Sequence, residues 1–244
     1  MAKLKVFPTT GMVIKNTFKE IYQSFSYSVL MSIIYGTVSI PTLLIIVASF
    51  SITAGGWENS ITANELFSVF TWTMVLGAIW NTFVVAPVTT AFYSLYQVKK
   101  ESYPGFKTFF SLLGKYYRPS IVVNGLFSLS FILLFMNVMI GIIERSTLLF
   151  VTGMLSFYLQ VFISLMSFYF APLIYLNNSI KKTIKKAFLL VLDNTLLTIA
   201  LMLVLGLLFG VTILFPVFWF LVYGAILVYV TDLGFNMIYG RYEG

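Results

Sequence analysis

The sequence contains no cysteine and no histidine. Without cysteine there are no disulfides and no thiolate chemistry, and without histidine the most common general base and metal ligand is missing. The chain also lacks a Walker-type glycine loop, a zinc signature and the HEXXH and GXSXG motifs. We therefore expect no catalytic residue, no bound metal and no cofactor, and we predict that the protein is not an enzyme.

Charge is scarce as well. Only 9% of the residues are charged and 59% are hydrophobic, whereas a soluble domain has about a quarter charged and about half apolar residues. This composition is typical of an integral membrane protein, and the short connections between its apolar runs predict a single membrane domain over residues 1–244. The first twenty residues carry four lysines but no apolar core of their own, so we expect the first helix to stay in the membrane rather than serve as a cleaved signal.

The apolar runs are long enough to cross a bilayer, which takes about twenty residues per helix. Six stretches qualify, and the sequence predicts an all-α protein with six transmembrane helices. They lie near residues 25–52, 66–93, 121–143, 148–175, 188–212 and 217–231.

The positive charges alternate in a regular way with these runs. All of the fifteen basic residues except Arg145 fall before the first run, between the second and third, between the fourth and fifth, or after the sixth. Such an asymmetry is the positive-inside pattern, and it predicts a multi-pass protein of the cell membrane with both termini in the cytoplasm. Because the lysines lie beside apolar runs rather than on a polar face, we do not expect nucleic acid as a partner.

A basic amphipathic segment precedes each pair of predicted spans, at Ile14, Phe106 and Ile180. We read this as a weak internal repeat of three hairpins, each entered by a basic amphipathic cytoplasmic helix. Such helices lie at the membrane surface with their lysines on anionic headgroups. The candidate residues for contact with headgroups or a protein partner are Phe106, Lys107, Phe109, Lys181, Lys182, Lys185 and Lys186.

Two Ala-Pro pairs, at Pro87 and Pro172, sit near the predicted cytoplasmic ends of spans. Proline lacks an amide donor and clashes with the preceding turn, so each pair predicts a kink or an early helix end. One interpretation is a simple helix terminator. The other is a polar cleft lined by freed carbonyls, as in the broken helices of transporters, with Asn81, Thr89 and Thr90 beside the first break.

No charged residue falls in the middle of a predicted span. Asp193 and Asp232 are the nearest, and we expect Asp193 to be a helix partner of Lys185 or Lys186 and Asp232 to be an interfacial helix terminator. The uncharged polar residues are expected to bond between helices. Aromatic residues, 18% of the chain, are expected to pack against lipid, with stacking on sugar faces as the alternative.

The order of several motifs resembles that of the YesL-like family, domain of unknown function 624, of bacterial integral membrane proteins. The motifs are NTFVVAPVTTA from Asn81, FKTFF from Phe106, FAPLIY from Phe170 and DNTLLT from Asp193. The resemblance implies a multi-spanning protein of the cell membrane, in a family often encoded beside carbohydrate ABC importers and polysaccharide-degrading enzymes. It implies no reaction and transfers no catalytic residue.

These observations leave three hypotheses for function. The leading one is a non-enzymatic accessory protein for carbohydrate uptake that docks on ABC permease subunits. The alternative is a carrier of small solutes or sugars in its own right, with the breaks at Pro87 and Pro172 as a gate. The third is a protein that senses or scaffolds the lipid surface through its basic helices.

Overall fold

The computed structural model describes residues 6–58, 62–99, 106–143 and 146–242, and within them the chain is helical without a strand. We number the α-helices in chain order. They are α1 (Val6–Gln23), α2 (Phe25–Glu58), α3 (Ala63–Trp80), α4 (Ala86–Lys99), α5 (Phe106–Ile143), α6 (Thr147–Ser167), α7 (Phe170–Tyr175), α8 (Ile180–Asp193), α9 (Thr195–Leu214), α10 (Pro216–Phe218) and α11 (Gly224–Tyr239). Two π-helical segments, Asn81–Val85 and Trp219–Tyr223, join α3 to α4 and α10 to α11.

Five helical stretches are long and apolar enough to cross a membrane: Phe25–Ser49, Phe67–Lys99, Lys107–Ile143, Thr147–Ser167 and Trp219–Tyr239. The bent pair α8 and α9 would make a sixth if it counts as one span. The prediction of an all-helical fold is therefore confirmed for the described residues, and the lengths and compositions of these helices are compatible with a multi-pass membrane protein. A capping box lies at the N-terminus of α3, where the Thr62 N–H donates to the Glu65 carboxylate over 2.9 Å. This bond lowers the pKa of Glu65.

The predicted third span and the amphipathic segment before it are one helix, not two. α5 runs for 38 residues from Phe106 through Pro119 to Ile143, which is about 57 Å at about 1.5 Å per residue. A single proline removes one intrahelical hydrogen bond, and α5 continues through Pro119 and past the flanking Gly114 and Gly125. The helix is thus longer than the roughly 30 Å hydrocarbon layer of a bilayer.

The predicted fifth span starts too early. Phe188 belongs to α8, and the chain turns by 99° at Asn194 before α9 begins. The Asn194 side chain donates to the backbone oxygen of Leu190 over 3.2 Å and to the Tyr242 hydroxyl over 3.0 Å. An asparagine that bonds local backbone in this way competes with helix continuation, so the amphipathic α8 is a separate element, as predicted.

The predicted fourth span is interrupted before it reaches residue 175. α6 ends at Ser167, and the Tyr169 N–H donates to the Met166 oxygen over 3.0 Å in a tightened turn. Pro172 provides the reason, because its missing N–H cannot bond the carbonyl of Phe168 in the preceding turn. The short helix α7 then carries the chain to Tyr175.

Small residues bring α2 and α11 into close contact. A Cβ placed on Gly224 would lie 2.9 Å from the Ser32 Cα, so the two backbones nearly touch. The Ser32 hydroxyl accepts a hydrogen bond from Ala225 N–H over 3.1 Å, and the Ser28 hydroxyl lies 3.0 Å from the Tyr229 hydroxyl. Small side chains at such spacing are what membrane helices use for close packing.

Lysines mark one end of the bundle. The Lys99 ammonium lies 4.6 Å from the centre of the Tyr27 ring, and Lys186 donates to the Tyr239 hydroxyl over 3.1 Å. The start of α2, the end of α4, α8 and the end of α11 therefore lie together, and we call this the basic end. The largest fully buried side chains include Phe92, Tyr169, Leu173, Tyr229 and Ile238. These belong to helix segments close to the basic end, and the stretch Trp219–Tyr239, which contains α11, is the most buried of the five candidate spans.

Candidate functional site

The helix through Pro87 does not end there. It changes from α to π at Asn81, and the Ala86 N–H donates to the Asn81 carbonyl, five residues back, before α4 continues to Lys99. Because Pro87 has no N–H, the carbonyl of Phe83 loses its usual partner. Of the two interpretations of this motif, the simple terminator is wrong and a local distortion within a continuing helix is observed. Single π-turns of this kind are frequent at functional sites.

A cavity of about 490 Å³ opens beside the π-helical turn, between α4, α5, α6, α9 and α11. Its polar lining comes from five side chains on four helical stretches: Asn81, Thr89, Asn124, Ser167 and Thr231. Aromatic rings supply much of the remaining wall, namely Phe127, Phe168, Phe209 and Tyr223.

A second cavity of about 360 Å³ lies between α2, α3, α5 and α6. It shares Asn81, Phe127 and Ser167 with the first, so the two adjoin at the π-helical turn. On its α2 side, the Thr42 hydroxyl is buried and has no hydrogen-bond partner in the described part of the chain. A buried hydroxyl without a partner is costly, so a polar group is expected beside it, from water or a ligand.

The two proline motifs meet at the first cavity. Asn81 and Thr89 line it from one motif, and Ala171 lines it from the other. Pro87 and Pro172 themselves are buried and do not line the cavity. Thr90 is buried and turned away, because its hydroxyl donates to the Ala86 oxygen over 2.9 Å and lies 3.2 Å from the Ser120 hydroxyl.

The polar wall is uncharged. Asn124 donates its amide N–H to the Ser120 oxygen over 2.9 Å, while Thr89 and Ser167 donate to carbonyls of their own helices over 2.8 and 2.7 Å. The oxygens of Asn124 and Ser167 can still accept hydrogen bonds, the Thr89 hydroxyl also interacts with the Tyr35 hydroxyl, and the Asn81 amide can donate and accept. The two linings contain no ionisable carboxylate or ammonium group among the described residues. The described part of the wall therefore offers hydrogen-bonding groups but no charged partner for an ion.

Asp232 is the residue that sequence reasoning placed wrongly. It is fully buried inside α11, which continues seven residues further to Tyr239. One oxygen of its carboxylate accepts hydrogen bonds from the Tyr93 hydroxyl over 3.2 Å, from the Asn236 amide over 2.9 Å and from the Gln97 amide. The sequence contained a usable signal, since no helix stop separates Thr231 from Tyr239 and Asp232 and Asn236 share one face.

Asp193 also has an unexpected partner. Its carboxylate accepts a hydrogen bond from the Tyr242 hydroxyl over 3.0 Å, whereas Lys186, one of its two predicted partners, donates to Tyr239. Burial raises the pKa of Tyr242. The carboxylate of Asp193 itself is exposed, so this contact fixes the C-terminal turn rather than a site in the bundle.

The residues predicted to contact headgroups differ in their exposure. Lys107, Lys181, Lys182 and Lys185 are exposed, whereas Lys186 is half-buried on Tyr239. Phe109 is buried with its ring 4.7 Å from that of Phe92, so it packs in the core and presents no docking surface. Phe106 begins α5, and its side chain lies outside the described part of the structure.

Comparison with known proteins identifies no relative of this chain. No protein-family model, no curated protein and no solved structure matches the chain. The resemblance to the YesL-like family stays a prediction from motif order. Among the described residues, no cluster of acidic side chains could hold a metal ion.

Proposed function

We propose that this protein is a carrier that moves a small uncharged polar solute, such as a small sugar, across the cell membrane. The observation that carries the proposal is the pair of adjoining cavities that meet at Asn81, beside a π-helical break. Asn81 lies near the middle of the apolar stretch Phe67–Lys99, and transporters of known mechanism bind their substrates at broken helices near the bilayer midplane.

The topology that goes with this proposal has six spans in three hairpins, with α8 and α9 together forming the entry to the third. The basic end faces the cytoplasm, and both termini lie there. Support comes from Lys99 and Lys186, which lie at the same end of the bundle as the exposed Lys181 and Lys182, because positive charge is retained on the cytoplasmic side.

The size and chemistry of the cavities support the proposal of a small polar solute. Volumes of about 490 and 360 Å³ fall within the range of roughly 300–1,000 Å³ that is usual for small-molecule sites. Amide and hydroxyl groups can bond the hydroxyls of a solute in either direction. Rings such as Phe127 and Tyr223 offer apolar faces to a sugar ring.

The experiment tests the first cavity by placing a larger side chain at a glycine that lines it. Gly206 lines this cavity, and a Cβ added to it would meet no atom within 4 Å, so the first side-chain carbon of Gly206→Leu has room at the cavity wall. Gly210→Leu is the matched control, because Gly210 lies one turn along the same helix, is equally open and does not line the cavity. Purified protein in proteoliposomes is assayed for uptake of radiolabelled monosaccharides, disaccharides and polyols.

We expect uptake of at least one of these solutes by the unmodified protein. Gly206→Leu should reduce it at least tenfold, whereas Gly210→Leu should leave it unchanged. Absence of uptake for every solute refutes the carrier proposal. If the protein then co-purifies with ABC permease subunits and its deletion lowers sugar uptake by cells, the accessory role implied by the family resemblance takes its place.

A second candidate function, binding to anionic lipid, is favoured by the geometry of α8. The helix turns 99° away from α9 and exposes Lys181, Lys182 and Lys185, while Ala187 and Val191 are buried against the bundle. This is the arrangement of a helix that lies in the membrane interface. The stabilisation of the detergent-solubilised protein by added phosphatidylglycerol, compared with phosphatidylcholine, measures the interaction.

Replacing the three lysines by glutamate should abolish the preference for phosphatidylglycerol. Replacing them by arginine, which keeps the charge, should preserve it. An equal preference in the glutamate variant removes this second function.

A further inference from the structure

The buried carboxylate of Asp232 links α4 and α11 next to the first cavity. Its donors Tyr93 and Gln97 belong to α4, and Asp232 itself belongs to α11. Thr231, the preceding residue, lines the cavity. The contact therefore lies between the cavity and the basic end.

The chemistry of this contact favours a fastening role. Hydroxyl and amide donors converge on one carboxylate oxygen, an arrangement that suits the ionised form, which only accepts hydrogen bonds. Metal cations require oxygen lone pairs around them, so a ring of N–H and O–H donors does not form a cation site. Hydrogen bonds to a charged acceptor are about twice as strong as neutral ones. Asp232 thus holds α4 against α11.

The same helix α4 has a break at its other end. The π-helical turn Asn81–Val85 connects it to α3, and Pro87 leaves a carbonyl of that turn without its usual donor. Between the cavity and the basic end, α4 contributes the buried side chains of Phe92, Tyr93 and Tyr96 to the core. The Tyr96 ring packs on the Tyr229 ring at a centroid distance of 4.7 Å. A rotation of α4 about the π-helical turn would remove these side chains from the path between the cavity and the basic end.

We propose that Asp232 is the positioning residue of a gate that closes the basic end of the cavity, with α4 as the moving element and the π-helical turn as its hinge. The gate rests on the proposed function, since only a carrier needs to open its cavity on this side. In the structure described here the gate is closed.

The natural absence of cysteine allows a test that does not require a known solute. Ser167 lines both cavities from α6, away from the moving helix, so Ser167→Cys reports access to the cavity. A membrane-impermeant charged maleimide is applied to inside-out vesicles, and the rate of labelling is measured by gel shift. A separate Lys181→Cys variant, at an exposed position, verifies that the basic end faces the reagent.

We expect slow labelling of Ser167→Cys alone and at least tenfold faster labelling when Asp232→Ala is added. Asp232→Asn keeps an acceptor oxygen and should give a smaller increase, and Tyr93→Phe, which removes one donor but keeps the ring, should also give a modest increase. Asp193→Ala is the control, because it removes an exposed carboxylate at the same end and should change nothing. If Asp232→Ala does not fold, Asp232→Asn and Tyr93→Phe decide the question.

Labelling that is unchanged by every Asp232 and Tyr93 variant overturns the gate, as does an equal increase with Asp193→Ala. The result is separable from the carrier assay. Faster labelling without solute uptake would leave the gate standing and refute the carrier, whereas uptake with unchanged labelling would leave the carrier standing and refute this gate.

Discussion

Replacing Asp232 by alanine should cost more folding free energy than any conservative change elsewhere in the core. The substitution removes a fully buried acceptor from the donors of Tyr93, Gln97 and Asn236, of which Tyr93 is buried, Gln97 half-buried and Asn236 exposed. Each buried donor left unsatisfied costs about 1–3 kcal/mol. Some of this loss is recovered when Asn236 turns to the exposed side of its helix. We therefore expect a loss of about 3–5 kcal/mol, mainly from the unsatisfied donors of Tyr93 and Gln97.

Two milder variants test the physical origin of that loss. Asp232→Asn keeps an acceptor oxygen but exchanges charged for neutral hydrogen bonds, a difference of about 1 kcal/mol per bond, so we expect a loss of about 1–3 kcal/mol. Tyr93→Phe removes one donor and leaves the carboxylate with its amide partners, so we expect about 1–2 kcal/mol. The predicted order of stability is unmodified protein, Tyr93→Phe, Asp232→Asn, Asp232→Ala.

Thermal unfolding in detergent, followed by the fluorescence of the four tryptophans, measures this order. For a chain of this size about 1 kcal/mol shifts the midpoint by about 2–4 °C, so Asp232→Ala should lower it by about 6–20 °C. Asp193→Asn serves as the control, because its carboxylate is exposed and should shift the midpoint by about a degree or less. A midpoint for Asp232→Ala within two degrees of the unmodified protein would refute the reasoning.

Two further predictions concern close helix contacts. Gly224→Ala places a Cβ 2.9 Å from the Ser32 Cα, so α2 and α11 must separate, and we expect a loss of about 1–3 kcal/mol, the usual cost of overpacking. Gly141→Ala places a Cβ 2.6 Å from the Leu149 oxygen and should cost a similar amount by separating α5 and α6. Gly77→Ala meets no atom within 4 Å and should gain about 0.5–1 kcal/mol from helix propensity. Equal thermal midpoints for the three variants would contradict the argument.

What the sequence predicted well depends on averages over long stretches. Hydrophobicity summed over about twenty residues identifies a spanning helix whatever its partners are, and the described helices long and apolar enough to cross a membrane overlap the predicted ones. Pro87 and Pro172 also predicted where regular α-geometry fails, because the missing N–H acts within its own helix, whereas α2 and α5 continue through Pro41 and Pro119. These are local effects, and local reasoning captures them.

Helix ends and the buried carboxylate were predicted poorly, because their causes lie elsewhere in the chain. The donors Tyr93 and Gln97 precede Asp232 by 139 and 135 residues. A pattern confined to α11 shows only a charge near the end of an apolar run, which ordinarily marks the interface. The break at Asn194 depends in part on Tyr242, 48 residues later. Nothing in the local sequence specifies either partner.

The polar side chains of α4 contact two different neighbours. Tyr93 and Gln97 bond Asp232 on α11, and a second set of hydroxyl contacts reaches α5. Thr82 of the π-helical turn and Thr90 of α4 lie 2.9 and 3.2 Å from the hydroxyls of Ser128 and Ser120, so hydroxyl pairs hold both the turn and α4 to α5. Such neutral pairs are worth about 1 kcal/mol or less in membranes, but the packing of Phe92 on Phe109 reinforces them. Release of Asp232 would therefore free α4 from α11 while α4 stays on α5. The contacts of α4 with α5, a continuous helix from Phe106 to Ile143, therefore limit how far α4 can rotate about the π-helical turn. The contact at Asp232 determines whether that rotation takes place, because it is the hydrogen-bonded link between α4 and α11.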